Sequence, residues 1–157
     1  MHPDLRASVP RCEIALYYPR PPSPPLPNPA PPLPAHTLTD GREWLVEAHG
    51  CHSAPLADPG ELRRLFAAMV SDLGLHPVGD PLWHKFPGPG GVTGLVLLAE
   101  SHLAVHTFPE HGSLCLNLFC CRPRADWDFD GELRARFGAE SVTVRAVERP
   151  YAAMVAP

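Results

Sequence analysis

The sequence predicts an α+β fold, a two-layer sandwich in which a mainly antiparallel sheet carries two helices on one face. The predicted elements follow the order β-α-β-β-β-β-α-β. Four of the strands are consecutive, which favours antiparallel neighbours over parallel strands joined by crossover helices. Each of the two helical segments ends at a glycine, as helices commonly do.

Proline is concentrated at one end of the chain. More than half of the 22 prolines lie in residues 1–38. Because proline fixes φ and lacks an N–H, this segment can join neither a sheet nor a helix interior. We expect residues 1–38 to be a disordered or polyproline II leader and residues 39–157 to form the folded domain. A passive tail and an arm for a partner with a PxxP-binding groove are both open interpretations of the leader.

The folded domain begins with a strand and a helix. Residues 43–48 mix aromatic and β-branched side chains, which predicts a strand. Asp58 followed by Pro59 is typical of a helix N-cap and the first helical position. Apolar residues then recur at helical spacing until Gly74, which ends the predicted helix.

The second half of the domain contains the remaining strands and the second helix. Short apolar runs predict four strands, over residues 82–86, 92–99, 102–108 and 114–119. Residues 126–137 predict the second helix, which Gly138 ends. Alternating apolar and polar residues predict a last, half-buried strand over residues 141–148.

Some of these strands are apolar without alternation, as in residues 95–99. Such runs are typical of strands that are buried on both faces. Two helices on one side cover only one face of the predicted sheet. We therefore expect a homodimer in which two copies pack sheet to sheet.

Charge and composition exclude several classes of function. The net charge is −4, which gives no general electrostatic attraction to nucleic acid. No apolar run approaches the roughly 18 residues of a membrane span, and residues 14–18 are too short for a secretory signal core. We expect a cytoplasmic protein with thiol cysteines and no membrane or nucleic-acid partner. The spacing of His and Cys matches no established zinc pattern, so no metal is predicted.

The densest group of reactive side chains follows the predicted strand 92–99. Residues 100–112 read ESHLAVHTFPEHG, so hydroxyl, imidazole and carboxylate groups crowd together at a strand end. Two adjacent cysteines, Cys120 and Cys121, follow about twenty residues after Ser101. A pyridoxal enzyme needs a lysine to hold its cofactor as a Schiff base, and Lys85 is the single lysine, so the sequence gives little support to that class of enzyme.

The segment ESHLAVHTFPEHG closely resembles the signature of the prokaryotic S-adenosylmethionine decarboxylase proenzymes. Residues 89–94 (PGGVTG) and 46–51 (VEAHGC) also resemble segments of that family. The resemblance extends over about residues 42–150, which is nearly all of the predicted domain.

The resemblance implies an inactive precursor that cuts itself between Glu100 and Ser101. The Ser101 hydroxyl would attack the preceding carbonyl in an N→O acyl shift, and elimination and hydrolysis would convert the serine into a pyruvoyl group. His106 would be the processing base, and Thr93 stands where a serine commonly assists.

The resemblance also implies pyruvoyl-dependent decarboxylation of S-adenosylmethionine to the aminopropyl donor for spermidine synthesis. The pyruvoyl group from Ser101 would form a Schiff base with the substrate amine and act as an electron sink. Cys121 would be the proton donor. Glu110 would bind the ribose hydroxyls, and Phe108 and Phe86 would be aromatic substrate contacts.

Two departures from the family pattern keep other functions open. Asn117 stands where the family commonly has Asp, and Arg122 stands where it has Gly. Asparagine keeps hydrogen bonding but loses a charge, and Arg122 adds a cation beside Cys121. The same machinery acting on arginine or ornithine, and a non-catalytic relative that binds a ligand or partner, are the alternatives.

Strand parity adds two constraints, because successive side chains point to opposite faces. Cys120 and Cys121 cannot both point into one site. Ser101 and His106 point to opposite faces of a regular strand, so if both serve one site the chain kinks between them or the cut end moves.

Overall fold

The structure of the protein is a computed structural model that describes residues 40–151. The predicted leader, residues 1–38, lies outside the described residues. The strands are β1 (Asp40–His49), β2 (Leu82–Lys85), β3 (Val92–Leu98), β4 (Ser101–Phe108), β5 (Ser113–Cys120) and β6 (Ser141–Pro150). The helices are α1 (Ser53–Leu56), α2 (Pro59–Asp72) and α3 (Phe129–Phe137), with a 3-10 turn at Pro109–His111.

All six strands form one sheet in the order β2-β3-β4-β5-β1-β6, and every neighbouring pair is antiparallel. This confirms the predicted α+β class with an antiparallel sheet. The number of helices was predicted wrongly, since the described chain has three rather than two. The additional helix, α1, is a single turn of four residues without a side-chain N-cap, so it has no periodicity that a sequence pattern could reveal.

The ends of the two longer helices follow their capping residues. The Asp58 carboxylate accepts a hydrogen bond from the Gly60 N–H at 2.8 Å, which starts α2 where the sequence predicts it. α3 begins at residue 129 and not at 126, because the capping carboxylate is that of Asp128, which accepts from the Gly131 N–H at 3.0 Å.

One face of the sheet is buried against the helices. Alternate residues of the central strands supply this covered face: Trp44, Val46 and Ala48 from β1, Leu103 and Val105 from β4, and Leu114, Leu116 and Leu118 from β5. They form one core with the apolar side chains of α2 and α3. Removing this apolar area from water is the main stabilising contribution to the fold.

A buried threonine connects the covered face to α1. Thr107 is 5% exposed. Its hydroxyl donates to the Leu56 carbonyl at 2.7 Å and accepts from the Val92 N–H at 2.8 Å. The close approach also explains Gly91, where a Cβ would lie 1.8 Å from the Thr107 carbonyl oxygen.

The opposite face of the sheet, called the open face below, has no helix against it in residues 40–151. Leu82, Leu95 and Leu97 on this face are 67%, 41% and 61% exposed. The run 95–99 therefore alternates within one chain, with Val96 and Leu98 buried. None of the helices in the described part of the chain is long and apolar enough to cross a membrane.

Candidate active site

The bond predicted to be cut lies at the tip of a tight hairpin. β3 and β4 are joined by two residues, Ala99 and Glu100, and Leu98 pairs with Ser101. The Ala99 N–H donates to the His76 carbonyl at 2.9 Å, which ties the tip to the segment after α2. The Glu100–Ser101 peptide bond is therefore fixed at the end of the sheet.

The carbonyl oxygen of Glu100 has a hydrogen-bond donor. The Cys121 N–H donates to it at 3.0 Å. A donor on a carbonyl oxygen stabilises the negative charge that forms there when a nucleophile attacks the carbon. The backbone just after β5 thus supplies the electrostatic element that attack on this carbonyl requires.

The Ser101 hydroxyl lies on the covered side of the sheet. Its oxygen is buried and makes no hydrogen bond of normal geometry within residues 40–151. Ser101 pairs across the sheet with Cys120, which is fully buried. Burial raises the pKa of the Cys120 thiol, and the nearby Ser101 hydroxyl and the charge of Arg124 oppose part of that shift.

The Glu100 side chain pairs with Arg124, a residue that the sequence analysis did not single out. Both side chains are largely buried, with Glu100 14% and Arg124 21% exposed. No sequence signal identifies this pair, because it depends on the path of the chain after β5. Arg122, which the sequence places beside Cys121, is half-buried.

His106 and Thr93 meet on the open face. Thr93 Oγ1 lies 2.9 Å from His106 Nδ1, and the two residues are directly paired across β3 and β4. Cys115 stands opposite His106 on the next strand and is exposed. The two residues that the sequence associates with processing are thus in contact.

Ser101 and His106 are not brought together within one chain. β4 runs without interruption from Ser101 to Phe108, and each of its residues is paired with β5. Five residues of strand separate the two by roughly 17 Å, and their side chains point to opposite faces. No kink in β4 therefore brings the Ser101 and His106 side chains together.

The two adjacent cysteines have different environments. Cys120 is the last residue of β5 and belongs to the buried core. Cys121 follows the strand and is partly exposed. The Tyr151 hydroxyl donates to the Cys121 carbonyl at 2.9 Å, which holds this segment against the end of β6.

The predicted substrate contacts lie at the other end of β4. Glu110 is on the 3-10 turn and borders an open cleft of about 610 Å³ formed by α1 and residues 87–90. Phe108 is 38% exposed on the open face, and Phe86 is 46% exposed. The rings of Phe86 and His84 meet edge to face, with 4.6 Å between their centroids. These three residues are near one another in the fold but far from Ser101 of the same chain.

Asn117, a departure from the family pattern, has two polar partners on the open face. Its side-chain oxygen lies 2.9 Å from His102 Nε2, and its nitrogen donates to Glu43 at 2.6 Å. Glu43 also pairs with Arg149. An aspartate at position 117 would face the Glu43 carboxylate, so asparagine suits this neighbour. In residues 40–151, no group of three or more His, Cys, Asp or Glu side chains is placed to hold a metal ion.

Comparison with known proteins identifies the family. The model of the family described as S-adenosylmethionine decarboxylase matches residues 42–150. The S-adenosylmethionine decarboxylase proenzyme of Acetivibrio thermocellus is 36% identical over 110 residues, which is 69% of this chain and 87% of that protein. The proenzyme of Pyrococcus furiosus is 41% identical over 90 residues, or 56% of this chain and 62% of that protein.

A solved structure shares the fold. The crystal structure of the adenosylmethionine decarboxylase from Aquifex aeolicus matches with a TM-score of 0.61 and 22% identity, covering 76% of this chain and 98% of that one. The family match and the relatives show that this chain belongs to the S-adenosylmethionine decarboxylase family. The family, the enzyme class and the pyruvoyl cofactor predicted from the sequence are thereby confirmed.

Proposed function

We propose that this protein cuts its own chain between Glu100 and Ser101 and that the resulting pyruvoyl enzyme decarboxylates S-adenosylmethionine. The observation that carries this proposal is the hydrogen bonding around the Glu100–Ser101 peptide bond at the hairpin tip. The Glu100 carbonyl accepts from the Cys121 N–H, and the Ser101 hydroxyl beside it is buried without a normal hydrogen bond in the described chain. A buried nucleophile, whose polar neighbour is the Cys120 thiol, thus stands next to a carbonyl that carries a hydrogen-bond donor.

Self-cleavage begins when Ser101 Oγ bonds to the Glu100 carbonyl carbon and the hydroxyl proton passes to a base. The carbon–nitrogen bond then breaks, which leaves an ester and a free amine on residue 101. Removal of the α-proton of residue 101 expels the Glu100 carboxylate and leaves dehydroalanine. Water adds, ammonia leaves, and residue 101 becomes a pyruvoyl group. One water is consumed and one ammonia is released.

The residues around position 101 fit such a group. It would lie at the start of β4 opposite Cys120, close to the Cys121 backbone and to the Glu100–Arg124 pair, whose opposite charges offset each other. When present, it supplies a ketone that withdraws electrons from the substrate carbon that loses CO2. The thiol of Cys121 returns a proton to that carbon, since Cys120 is committed to the core.

Substrate binding is assigned to the far end of β4. In this proposal the Glu110 carboxylate accepts hydrogen bonds from the ribose hydroxyls, and the exposed rings of Phe108 and Phe86 contact the adenine. The open cleft at Glu110 supports this assignment. The decarboxylated product would supply aminopropyl groups for spermidine synthesis in the cytoplasm, where the Cys121 thiol stays reduced.

A second copy of the chain completes the site in this proposal. Within one chain, His106 and Glu110 lie at the opposite end of β4 from Ser101. The exposed leucines of the open face favour a homodimer that buries them. In a two-fold dimer, a residue i that contacts residue j is matched by j contacting i. Antiparallel packing of two open faces would therefore place the Thr93–His106 pair of each copy near the hairpin tip of the other.

The proposed function is tested by mass spectrometry under denaturing conditions, followed by assay. Purified protein should consist of fragments 1–100 and 101–157, and Ser101→Ala should remain one chain. The cleaved protein should release CO2 from carboxyl-labelled S-adenosylmethionine. Arginine and ornithine are the comparison substrates, and faster release from either would contradict the substrate assignment. A wild-type chain that stays intact would contradict the enzyme proposal as a whole.

A further inference from the structure

Arg124 is in contact with the residue on the amino side of the proposed cut. Its guanidinium pairs with the Glu100 carboxylate, and both side chains are largely buried. A glutamate at the tip of a two-residue hairpin would ordinarily extend into water. Burying two charges is unfavourable unless they are well paired, so each of these two side chains holds the other in place at the hairpin tip.

The guanidinium has an unused donor. A terminal nitrogen of Arg124 bonds Glu100, whereas Nε is buried and has no hydrogen-bond partner within residues 40–151. Arginine donors form a planar fork that suits two-point contact with carboxylate oxygens. A buried donor without a partner is unfavourable, so this site gains if a second acceptor appears beside it.

Self-cleavage creates such an acceptor. When the ester is eliminated, the Glu100 carbonyl becomes the α-carboxylate of a new chain end. Glu100 then carries two carboxylates within one residue at a partly buried position. Their mutual repulsion requires a counter-charge, and Arg124 is the cation already in contact.

We propose that Arg124 is a positioning residue for self-cleavage. Before the cut it holds Glu100, so that the carbonyl stays under the Cys121 N–H. After the cut its free donor takes the new α-carboxylate and retains the chain end beside residue 101. This inference rests on the proposed cleavage between Glu100 and Ser101.

The first measurement is the rate of cleavage of freshly translated precursor, followed by mass spectrometry. Arg124→Gln should cleave about tenfold more slowly than wild type, because an unpaired buried carboxylate disturbs the tip. Arg124→Lys keeps the charge but loses the fork, so its rate should lie between the two. Arg134→Gln is the matched control, since it removes an arginine–carboxylate pair on the surface of α3 and should leave the rate unchanged.

A second arm separates positioning from folding. In a Glu100→Gln background, Arg124→Gln should cause no further slowing, because the side-chain contact through which it acts is already gone. A general loss of stability would slow cleavage by the same factor in both backgrounds, and that result would overturn the proposal. If wild type does not cleave, the proposed function fails first; if wild type and Arg124→Gln cleave at equal rates, this inference alone fails.

The role after the cut has its own readout. Once cleavage is complete, carboxypeptidase should trim the end of fragment 1–100 slowly in wild type and several times faster in Arg124→Gln, because the held carboxylate is released. Equal trimming in the two proteins would overturn the assignment of the α-carboxylate to Arg124.

Discussion

The two faces of the sheet are made by the same strands but have different chemistry. On β4, Leu103, Val105 and Thr107 are buried under the helices, while the intervening His106 is exposed. The covered face also contains the Ser101 hydroxyl, and the open face contains the Thr93–His106 pair. A signature motif that is continuous in sequence is therefore divided between two faces and two ends of β4. The separation along β4 is the reason for proposing that two chains share each site, and in that dimer the Ser101 side chain turns toward the open face, where the second copy packs.

The largest expected effect comes from combining two variant chains, one that lacks the Ser101 hydroxyl of the covered face and one that lacks the His106 side chain of the open face. Ser101→Ala and His106→Ala precursors should each remain uncleaved when made alone. When they are made together, the His106→Ala chain should be cleaved, because its serine meets the histidine of the other copy. Mass spectrometry distinguishes the two chains. If the mixture stays intact while wild type cleaves, the shared site is contradicted.

The adjacent cysteines provide the next comparison, since one belongs to the covered face and the other does not. Cys121→Ala keeps its backbone N–H, so it should still cleave, but its rate of CO2 release should fall about a hundredfold through loss of the proton donor. Cys120→Ala should retain most of the activity. Normal decarboxylation by Cys121→Ala together with its loss in Cys120→Ala would reverse the assignment.

Cys115 and Cys120 lie on opposite faces of β5 and report on what covers each face. Leu97→Asp puts a charge on the open face and should give a monomer by sedimentation, with slower cleavage. In that monomer, alkylation of Cys115 should be roughly a hundredfold faster than alkylation of Cys120 at neutral pH. Because burial raises the pKa of the Cys120 thiol, its alkylation should increase only at clearly alkaline pH. In wild type, rapid labelling of Cys115 would contradict a dimer through the open face.

The smallest of these effects concerns stability of the covered face. Thr107→Val removes the hydroxyl that donates to the Leu56 carbonyl and accepts from the Val92 N–H. The free energy of unfolding should fall by about 1–3 kcal/mol, because two buried backbone groups lose their partner. Urea denaturation in the Ser101→Ala background measures this. Thr143→Val on exposed β6 is the control, and an equal effect there would remove the special role of Thr107.

Most of the fold was predictable because its signals are local. Short runs of apolar and β-branched residues placed the first five strands, alternation placed β6, and Asp58 with Pro59 placed the start of α2. The position of β1 between β5 and β6 was not predictable, since it is set by pairing between residues about 70 and 100 positions apart, and no local pattern encodes such pairing.

The motif predicts which residues form the candidate site, and it does not predict how they are arranged. The motif led to Ser101, His106 and Thr93, and strand parity showed that the first two diverge. The pairing of Arg124 with Glu100 was missed, because it depends on the turn after β5 and not on any spacing.

The central claim is that Ser101 becomes the pyruvoyl group of the enzyme. The mass of the purified 101–157 fragment tests this most directly. A pyruvoyl end gives a mass lower by one ammonia than that of a fragment beginning with serine, and the new end should react with a carbonyl reagent. A fragment that begins with an intact serine, or a chain that remains whole and still decarboxylates S-adenosylmethionine, would contradict it.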